Sequence, residues 1–392
     1  MNNRQLFFQH IAQTSPAPIG LEMVSAAGIY QYDTAGKAYV DLIAGFSVCN
    51  IGHSHPKVIA AIKEQVEKYM HLIVYGEFIQ SPQVQYAALL ASVLPHSLNS
   101  VYFTNSGAEA TEGAMKLAKR VTNRSKIICF NNSYHGSTQG ALSLMGSEYW
   151  RNAYRPLLPN VYHYNYNDFS VLDAIDKHTA CVILETVQAE SGVTIPTTEW
   201  LHAIRDKCNA TCSLLILDEI QVGFGRTGTL WAFEQFGIVP DILLLGKALG
   251  GGLPLGAFIA HESLMKTLTY NPVLGHITTF GGNPVSCAAG KAALEVLLEN
   301  KWIESVKEKE GIFLQQLQGL PVRMAGLIGS IFCENFETNK AIIHSCIQNG
   351  IITDWFLFAE DRLRISAPLC ITEAEIIAVC NVIKRCYRQF IP

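Results

Sequence analysis

Leu214-Leu-Ile-Leu-Asp218-Glu219-Ile-Gln221-Val-Gly223-Phe-Gly225-Arg226-Thr-Gly228 is a short apolar run that ends in an acid and opens into a glycine-rich loop. Four successive apolar residues without polar alternation predict a strand covered on both faces. The next such run is Asp241-Ile-Leu-Leu-Leu-Gly246-Lys247-Ala-Leu-Gly250-Gly-Gly-Leu-Pro254, where a lysine follows the strand directly. The same short buried pattern recurs at 127–130, 181–184 and 257–260. Amphipathic stretches lie around these runs. In 55–70, Val58, Ile59, Ile62, Val66 and Tyr69 share one helical face, and 108–121 and 284–298 are further helical candidates. The alternation predicts an α/β fold, an open sheet with helices on both faces. Such sheets bind ligands beyond the carboxyl ends of their strands, which is where Asp218, Gln221 and Lys247 fall.

The segments outside this block read differently. Residues 29–41 alternate around a turn at 33–36, as in a small hairpin, and short strands mix with helices after about residue 290, near 329–333 and 363–365. Residues 51–290 are expected to form a large domain. Residues 1–50 and 291–392 are expected to pack together into a smaller one. A chain of 392 residues is long enough for two such units, and 49% hydrophobic with 16% charged residues is ordinary for a compact globule. Lys plus Arg is 29 and Asp plus Glu is 33, so the net charge is −4, without runs of one sign. That balance argues against nucleic acid or an anionic membrane as the main partner. The eleven cysteines include no C-x-x-C pair, which disfavours zinc or a disulfide scaffold and leaves free thiols as the reading. No run approaches the roughly 18 apolar residues of a membrane helix. The first residues hold only a three-residue apolar run, Leu6 to Phe8, too short for a secretory signal. A cytoplasmic enzyme without a metal is the expectation.

Three segments carry chemistry. An Asp just past a buried strand, such as Asp218, can be held against a cationic ring nitrogen, keeping a pyridine protonated as an electron sink. Taken alone it is equally a helix cap or a loop hydrogen-bond partner. A lysine at the mouth of a buried strand, such as Lys247, loses solvation and becomes a readier neutral amine, the state that Schiff-base chemistry requires. A phosphate-binding or snorkelling lysine is the competing reading. The run Tyr102-Phe-Thr-Asn105-Ser106-Gly107-Ala108-Glu109-Ala110 leads into a helix. The Ser106 hydroxyl and the backbone amides of Gly107 and Ala108 at that helix start make a ready phosphate site, against the alternative of a plain serine cap. The triplet 250–252 is no dinucleotide fingerprint, because no G-x-G-x-x-G opens a helix after an early strand.

Six motifs in order carry a resemblance: Gly52-His53-Ser-His55-Pro56, Asn105-Ser-Gly-Ala-Glu-Ala110, Tyr134-His135-Gly136, Asp218-Glu-Ile-Gln221, Gly246-Lys247 and Thr279-Phe-Gly-Gly-Asn-Pro284. Over nearly its whole length the chain resembles the class III aminotransferases, the ornithine and acetylornithine group of fold-type I pyridoxal-phosphate enzymes. The resemblance implies a mostly parallel central sheet with helices on both faces, plus a smaller α+β domain. It implies pyridoxal 5'-phosphate as cofactor, with Lys247 as the Schiff-base lysine and proton shuttle, and Asp218 against the pyridine nitrogen. Gln221 would sit at the ring hydroxyl, Tyr134 on the ring face, and Ser106, Gly107 and Ala108 at the phosphate. His135 and Glu185 complete the cofactor set. Thr279 would reach the phosphate of a second subunit, which implies a homodimer with shared active sites. Glu190 and Arg364 match the family's switchable pair for a substrate carboxylate. The reaction implied moves an amino group from an ω-amino donor to 2-oxoglutarate by a ping-pong mechanism. Transamination of GABA or other amines, or a semialdehyde aminomutase, is the alternative.

The pattern also departs from the family. Where the family often reads E-P-x-Q-G-E, this chain has Glu185-Thr-Val-Gln-Ala-Glu190. Where the ornithine and acetylornithine enzymes usually place Arg after His-Gly, it has Ser137, and a hydroxyl cannot supply a bidentate cationic fork. Thr14 stands before Pro16-Ala-Pro18, where ornithine enzymes carry an aromatic residue. These departures leave the identity of the amine donor open.

Overall fold

The structure is a computed structural model that describes residues 2–391. Strands follow one another in three groups. The first is β1 (Met23–Ala27), β2 (Tyr30–Asp33) and β3 (Ala38–Asp41). The second is β4 (Ser100–Thr104), β5 (Lys126–Phe130), β6 (Val161–Tyr164), β7 (Thr179–Glu185), β8 (Leu214–Asp218), β9 (Ile242–Leu245) and β10 (Gly256–Ala260). The third is β11 (Val322–Ala325), β12 (Ile328–Phe332), β13 (Ile351–Ile352), β14 (Trp355–Phe356) and β15 (Ala359–Ile365).

The second group forms one seven-stranded sheet in the order β4-β10-β9-β8-β7-β5-β6. The strands expected near 127, 181, 214, 242 and 257 are its five interior members. β4 and β6 went unrecognised, and they are the two edges. An edge strand is covered less completely, so Ser100, Val101 and Tyr102 stay half-buried and Tyr162 is exposed. The continuous apolar signature is accordingly lost. All neighbours run parallel except β10, which is antiparallel to both β9 and β4.

Side chains alternate across the sheet and bury both faces. Ile127, Cys129, Cys181, Ile183 and Ile216 face one core with Ala110, Ala114, Leu117 and Ala118 of the helix Gly107–Thr122. Ile128, Phe130, Val182, Leu184 and Leu215 face the other, with Trp200, Leu201 and Ile204 of the helix Thr198–Thr211. The two chain ends meet in a second sheet, where β13 pairs in parallel with β3 alongside the hairpin β2–β3. β11, β12, β15 and β14 form a third, antiparallel sheet. The helix Pro284–Glu299 runs unbroken through position 290 and packs on the helices Pro56–Lys68 and Ser81–Ser92. Among the described residues no helix is long and apolar enough to cross a membrane.

Two features of the sheet position the site. β7 and β8 are in register to their last residues, with Glu185 opposite Asp218, so the acids that end these strands lie level. The helix Gly107–Thr122 lies close enough that a Cβ on Gly113 would meet Phe258 Cε1 of β10 at 2.3 Å. Gly113→Val therefore overpacks this contact. It should cost at least about 2 kcal/mol, read as a lower urea midpoint for unfolding, and an unchanged midpoint would show that the contact is soft.

Candidate active site

The residues singled out at the strand ends line one cavity of about 530 Å³, whose walls include Ser106, Tyr134, His135, Asp218, Gln221 and Lys247. Glu185, Gly107 and Ala108 line it as well. Asp218 closes β8 with its carboxylate buried. One oxygen accepts from the Ile220 backbone N–H at 2.9 Å, and the other lies 2.7 Å from His135 Nδ1. Burial would lower the basicity of His135, but the Asp218 carboxylate outweighs burial and raises its pKa. The other ring nitrogen, Nε2, is buried without a hydrogen-bond partner.

Lys247 follows β9 after Gly246, with φ of 47°, a left-handed conformation unusual for a side-chain-bearing residue. Its Nζ donates to Gln221 Oε1 at 2.6 Å. Burial pulls its pKa down to about 8, against the opposing pull of Glu190. At the opposite wall Ser106 caps the helix Gly107–Thr122, its hydroxyl accepting from Glu109 N–H at 3.2 Å. Gly107 allows the loop after β8 to come close, since a Cβ there would meet Ile220 Cδ1 at 2.7 Å. Gly136, with φ of 127°, likewise leaves no room for a Cβ, which would lie 2.5 Å from that of Ala108.

Glu185 serves the wall rather than its rim. Its two oxygens accept from the backbone N–H groups of Tyr134 and Ala189, each at 3.0 Å, fixing the loop that carries Tyr134. Burial raises its pKa to about 7. The Tyr134 hydroxyl lies 3.1 Å from Ser137 Oγ.

Arg364, on β15, and Glu190, on the loop after β7, form a bidentate pair at 3.0 and 2.9 Å. Glu190 also accepts from Gln221 Nε2 at 3.3 Å, so the pair is linked to Lys247 through one amide. Burial opposes ionisation of Glu190, but the guanidinium outweighs it and holds the carboxyl at about 2. Two partners of Arg364 escaped sequence reading. Asp354 accepts from its Nε at 2.7 Å, and Phe356 lies beneath the guanidinium with its ring centroid 4.2 Å away. Neither stands in a recognisable motif, because both are set opposite Arg364 by the β14–β15 turn. Thr279 is exposed and lines neither cavity that contains Lys247, while its neighbour Thr278 accepts from Asn105 Nδ2 at 3.0 Å.

Known proteins share this architecture. The ornithine aminotransferase of Toxoplasma gondii superposes with a TM-score of 0.90 at 29% identity, covering 98% of this chain and 94% of that one. An (S)-enantioselective ω-transaminase of Thermomicrobium roseum superposes with a TM-score of 0.91 at 26% identity, covering all of both chains. Such a fold and such a cavity define a fold-type I transaminase. The family model for class-III aminotransferases matches residues 11–387, and the acetylornithine aminotransferase of Methanopyrus kandleri is 38% identical over 385 residues, 96% of each chain. The chain belongs to the class-III aminotransferase family and is a pyridoxal-phosphate-dependent enzyme.

The Arg364 cluster gives a stability prediction. Arg364→Ala leaves Glu190 and Asp354 buried without their cation, which should cost about 3–5 kcal/mol at pH 8. In the variant both carboxyls have raised pKa values, so acid helps it by protonating them in the folded state. In the wild type the depressed Glu190 stabilises above the ordinary carboxylate range and loses that contribution as pH falls toward 2. The deficit should therefore narrow between pH 8 and pH 5 in urea unfolding. A deficit equal at both values would mean that the cluster does not carry it.

Proposed function

We propose that this chain moves an amino group from an amine donor to 2-oxoglutarate in two half-reactions run in one pocket, with pyridoxal 5'-phosphate held beyond β7, β8 and β9. The observation that carries this reading is Lys247, whose amine is lowered to about 8 by burial and shares a cavity with the Asp218–His135 pair. The lining fits the cofactor. It offers a carboxylate for a protonated ring nitrogen, an amine of reduced basicity and a helix start for a phosphate. Gly107 and Gly136 keep the wall free of Cβ atoms, and His135 Nε2 stays unpartnered. When bound, pyridoxal phosphate supplies an aldehyde carbon to carry the amino group and a ring to absorb electrons.

The roles of the chain's own groups follow. Asp218 keeps a proton on the ring nitrogen, backed by His135. Gln221 meets the ring hydroxyl, Tyr134 covers the ring face, and Ser106, Gly107 and Ala108 hold the phosphate. Glu185 positions the Tyr134 loop. Lys247 would take the proton from the donor carbon and return it to the cofactor's carbon on the other side of the transferred nitrogen, a transfer that needs a base of pKa near the working pH. Arg364 clamps the α-carboxylate of glutamate or 2-oxoglutarate once Glu190 swings aside, and is masked by Glu190 when the amine donor enters. Thr279, exposed and away from its own cavity, reaches the phosphate of a second copy in a homodimer with shared sites. Residues 51–290 serve as the cofactor domain, and the two chain ends, joined through β3 and β13, form the small domain that carries Arg364. Eleven unpaired cysteines suit the cytoplasm. Relatives named for acetylornithine support an ω-amino acid of the ornithine or N-acetylornithine kind as donor. Ser137, bonded to Tyr134, favours a second reading, other amines.

Borohydride reduction of the protein loaded with pyridoxal phosphate should leave the cofactor's mass on the peptide that contains Lys247, with Lys247→Ala unlabelled and inactive; a label on another lysine would sink the assignment. The Glu190–Arg364 gate should show as asymmetric damage in single-turnover kinetics. Arg364→Ala should slow the glutamate half-reaction by about a hundredfold or more, a few kcal/mol, and spare the amine half-reaction. Glu190→Ala should do the reverse. Equal losses in both half-reactions for both variants would make the pair structural only.

A further inference from the structure

A second cavity, about 590 Å³, adjoins Lys247 on the side away from the helix start at Ser106. Its walls are Phe46, Leu142, Met145, Trp150 and Leu357, with Tyr134 at the junction of the two cavities. Among the described residues the only charged ones lining it are Lys247 and Glu190, which the proposed function assigns to the transfer chemistry itself. Of its remaining polar groups, the Ser137 hydroxyl and the Gln139 amide are already paired, while the Tyr154 hydroxyl and the Trp150 indole N–H make no side-chain hydrogen bond among the described residues, and neither is a cation. Ser137 Oγ lies 3.1 Å from the Tyr134 hydroxyl, and the Gln139 amide donates to the carbonyls of Tyr154 and Pro156 at 2.9 and 2.8 Å. The nearby guanidinium groups are engaged too. Arg151 donates to Met145 O at 2.9 Å and pairs with Glu148, while Arg155 holds both oxygens of Glu148 at 2.8 Å. Arg364 is held by Glu190 and Asp354.

Phe46 reaches this cavity by an unusual route. Ala44, Gly45, Phe46 and Ser47 have φ of 46°, 57°, 62° and 61°, a left-handed turn in which three residues bear side chains. Local sequence preference opposes such a turn, so the surroundings must hold it. Asp41 does so, accepting from the N–H groups of Ile43 at 2.8 Å and Gly45 at 3.2 Å. Ser47 Oγ is anchored 3.2 Å from Ser366 Oγ. The turn leaves Phe46 46% exposed, its ring lining the cavity and 5.5 Å from the Arg364 guanidinium carbon.

We infer that the amine donor of this enzyme carries an apolar, uncharged tail seated against Phe46, Met145 and Trp150, and not a terminal carboxylate. The inference rests on the transaminase reading and takes its second donor reading, other amines, over the ornithine kind. While Glu190 masks Arg364, as the amine half-reaction requires, a carboxylate in this cavity would lose its water and meet no free guanidinium, whereas an alkyl or aryl tail would bury apolar surface on both sides. The exchange balances without an oxidant. The donor carbon gives up its amino group and one hydrogen and receives the oxo acid's oxygen by way of water, while the oxo carbon takes the amino group and hydrogen.

Hexylamine and 6-aminohexanoate have the same chain length and differ in the end group. With the cofactor-loaded protein, single-turnover conversion should be at least thirtyfold more efficient with hexylamine. Calorimetric binding to Lys247→Ala, which reads affinity without turnover, should show the same order. Ser137→Arg should raise the efficiency of 6-aminohexanoate at least tenfold and not that of hexylamine. Glutamate conversion separates the two levels of the argument. If glutamate fails to convert the loaded protein, the transaminase reading itself falls. If glutamate converts it but 6-aminohexanoate matches or beats hexylamine, or neither amine reacts, the apolar-tail inference is overturned and the transaminase reading stands.

Discussion

The charge of Arg364 is the constraint around which the rest of the site is arranged. A guanidinium with 1% of its residue surface exposed must be neutralised or it destabilises the fold. Two separate pieces of chain meet that demand: the loop after β7 with Glu190, and the segment 354–356 with Asp354 at the Nε and Phe356 beneath the guanidinium plane. The same contacts tie the C-terminal sheet to the carboxyl ends of the central one, because Glu190 also touches Gln221, which holds Lys247. A change in the Arg364–Glu190 pairing is therefore felt at the Lys247 amine through a single side chain. With Asp354 still in place when Glu190 leaves, the cation would keep one partner. That makes a movable Glu190 less costly than in a simple pair.

Backbone strain is concentrated around the same cavity. Lys247 and the turn at 44–47 both use left-handed conformations that disfavour side-chain-bearing residues by about 1–2 kcal/mol each. At the turn the cost persists because Asp41 holds the backbone N–H groups of Ile43 and Gly45, while at Lys247 the Gln221 amide fixes only the side-chain end. In return, the turn carries an aromatic ring to the edge of the outer cavity, and the lysine projects from the strand end between the two cavities. The glycines opposite, Gly107 and Gly136, complete the arrangement by letting the walls come close without filling the space between them.

The sequence by itself determined the interior of the central sheet, the helices on its faces and the strand-end or helix-start placement of Asp218, Lys247 and Ser106, which line one cavity. Those features are local: a continuous apolar run is legible because both of its faces are buried, and an acid, a lysine or a small-residue helix start is legible because it stands at the end of such a run. Asp218, Lys247 and Ser106 have that placement, while Gln221 was legible only through the family resemblance. The two edge strands were missed for the converse reason, since half-covered residues need not be apolar. What only the tertiary structure decided are the relations between distant segments: Asp354 and Phe356 against Arg364, His135 behind Asp218, Phe46 delivered by a left-handed turn, and the pairing of polar groups that leaves the outer cavity without a free cation. Each depends on chain segments far apart in sequence meeting in space, and on the cost of burying a charge or straining a backbone being met by those particular neighbours. A one-dimensional pattern holds no record of that meeting.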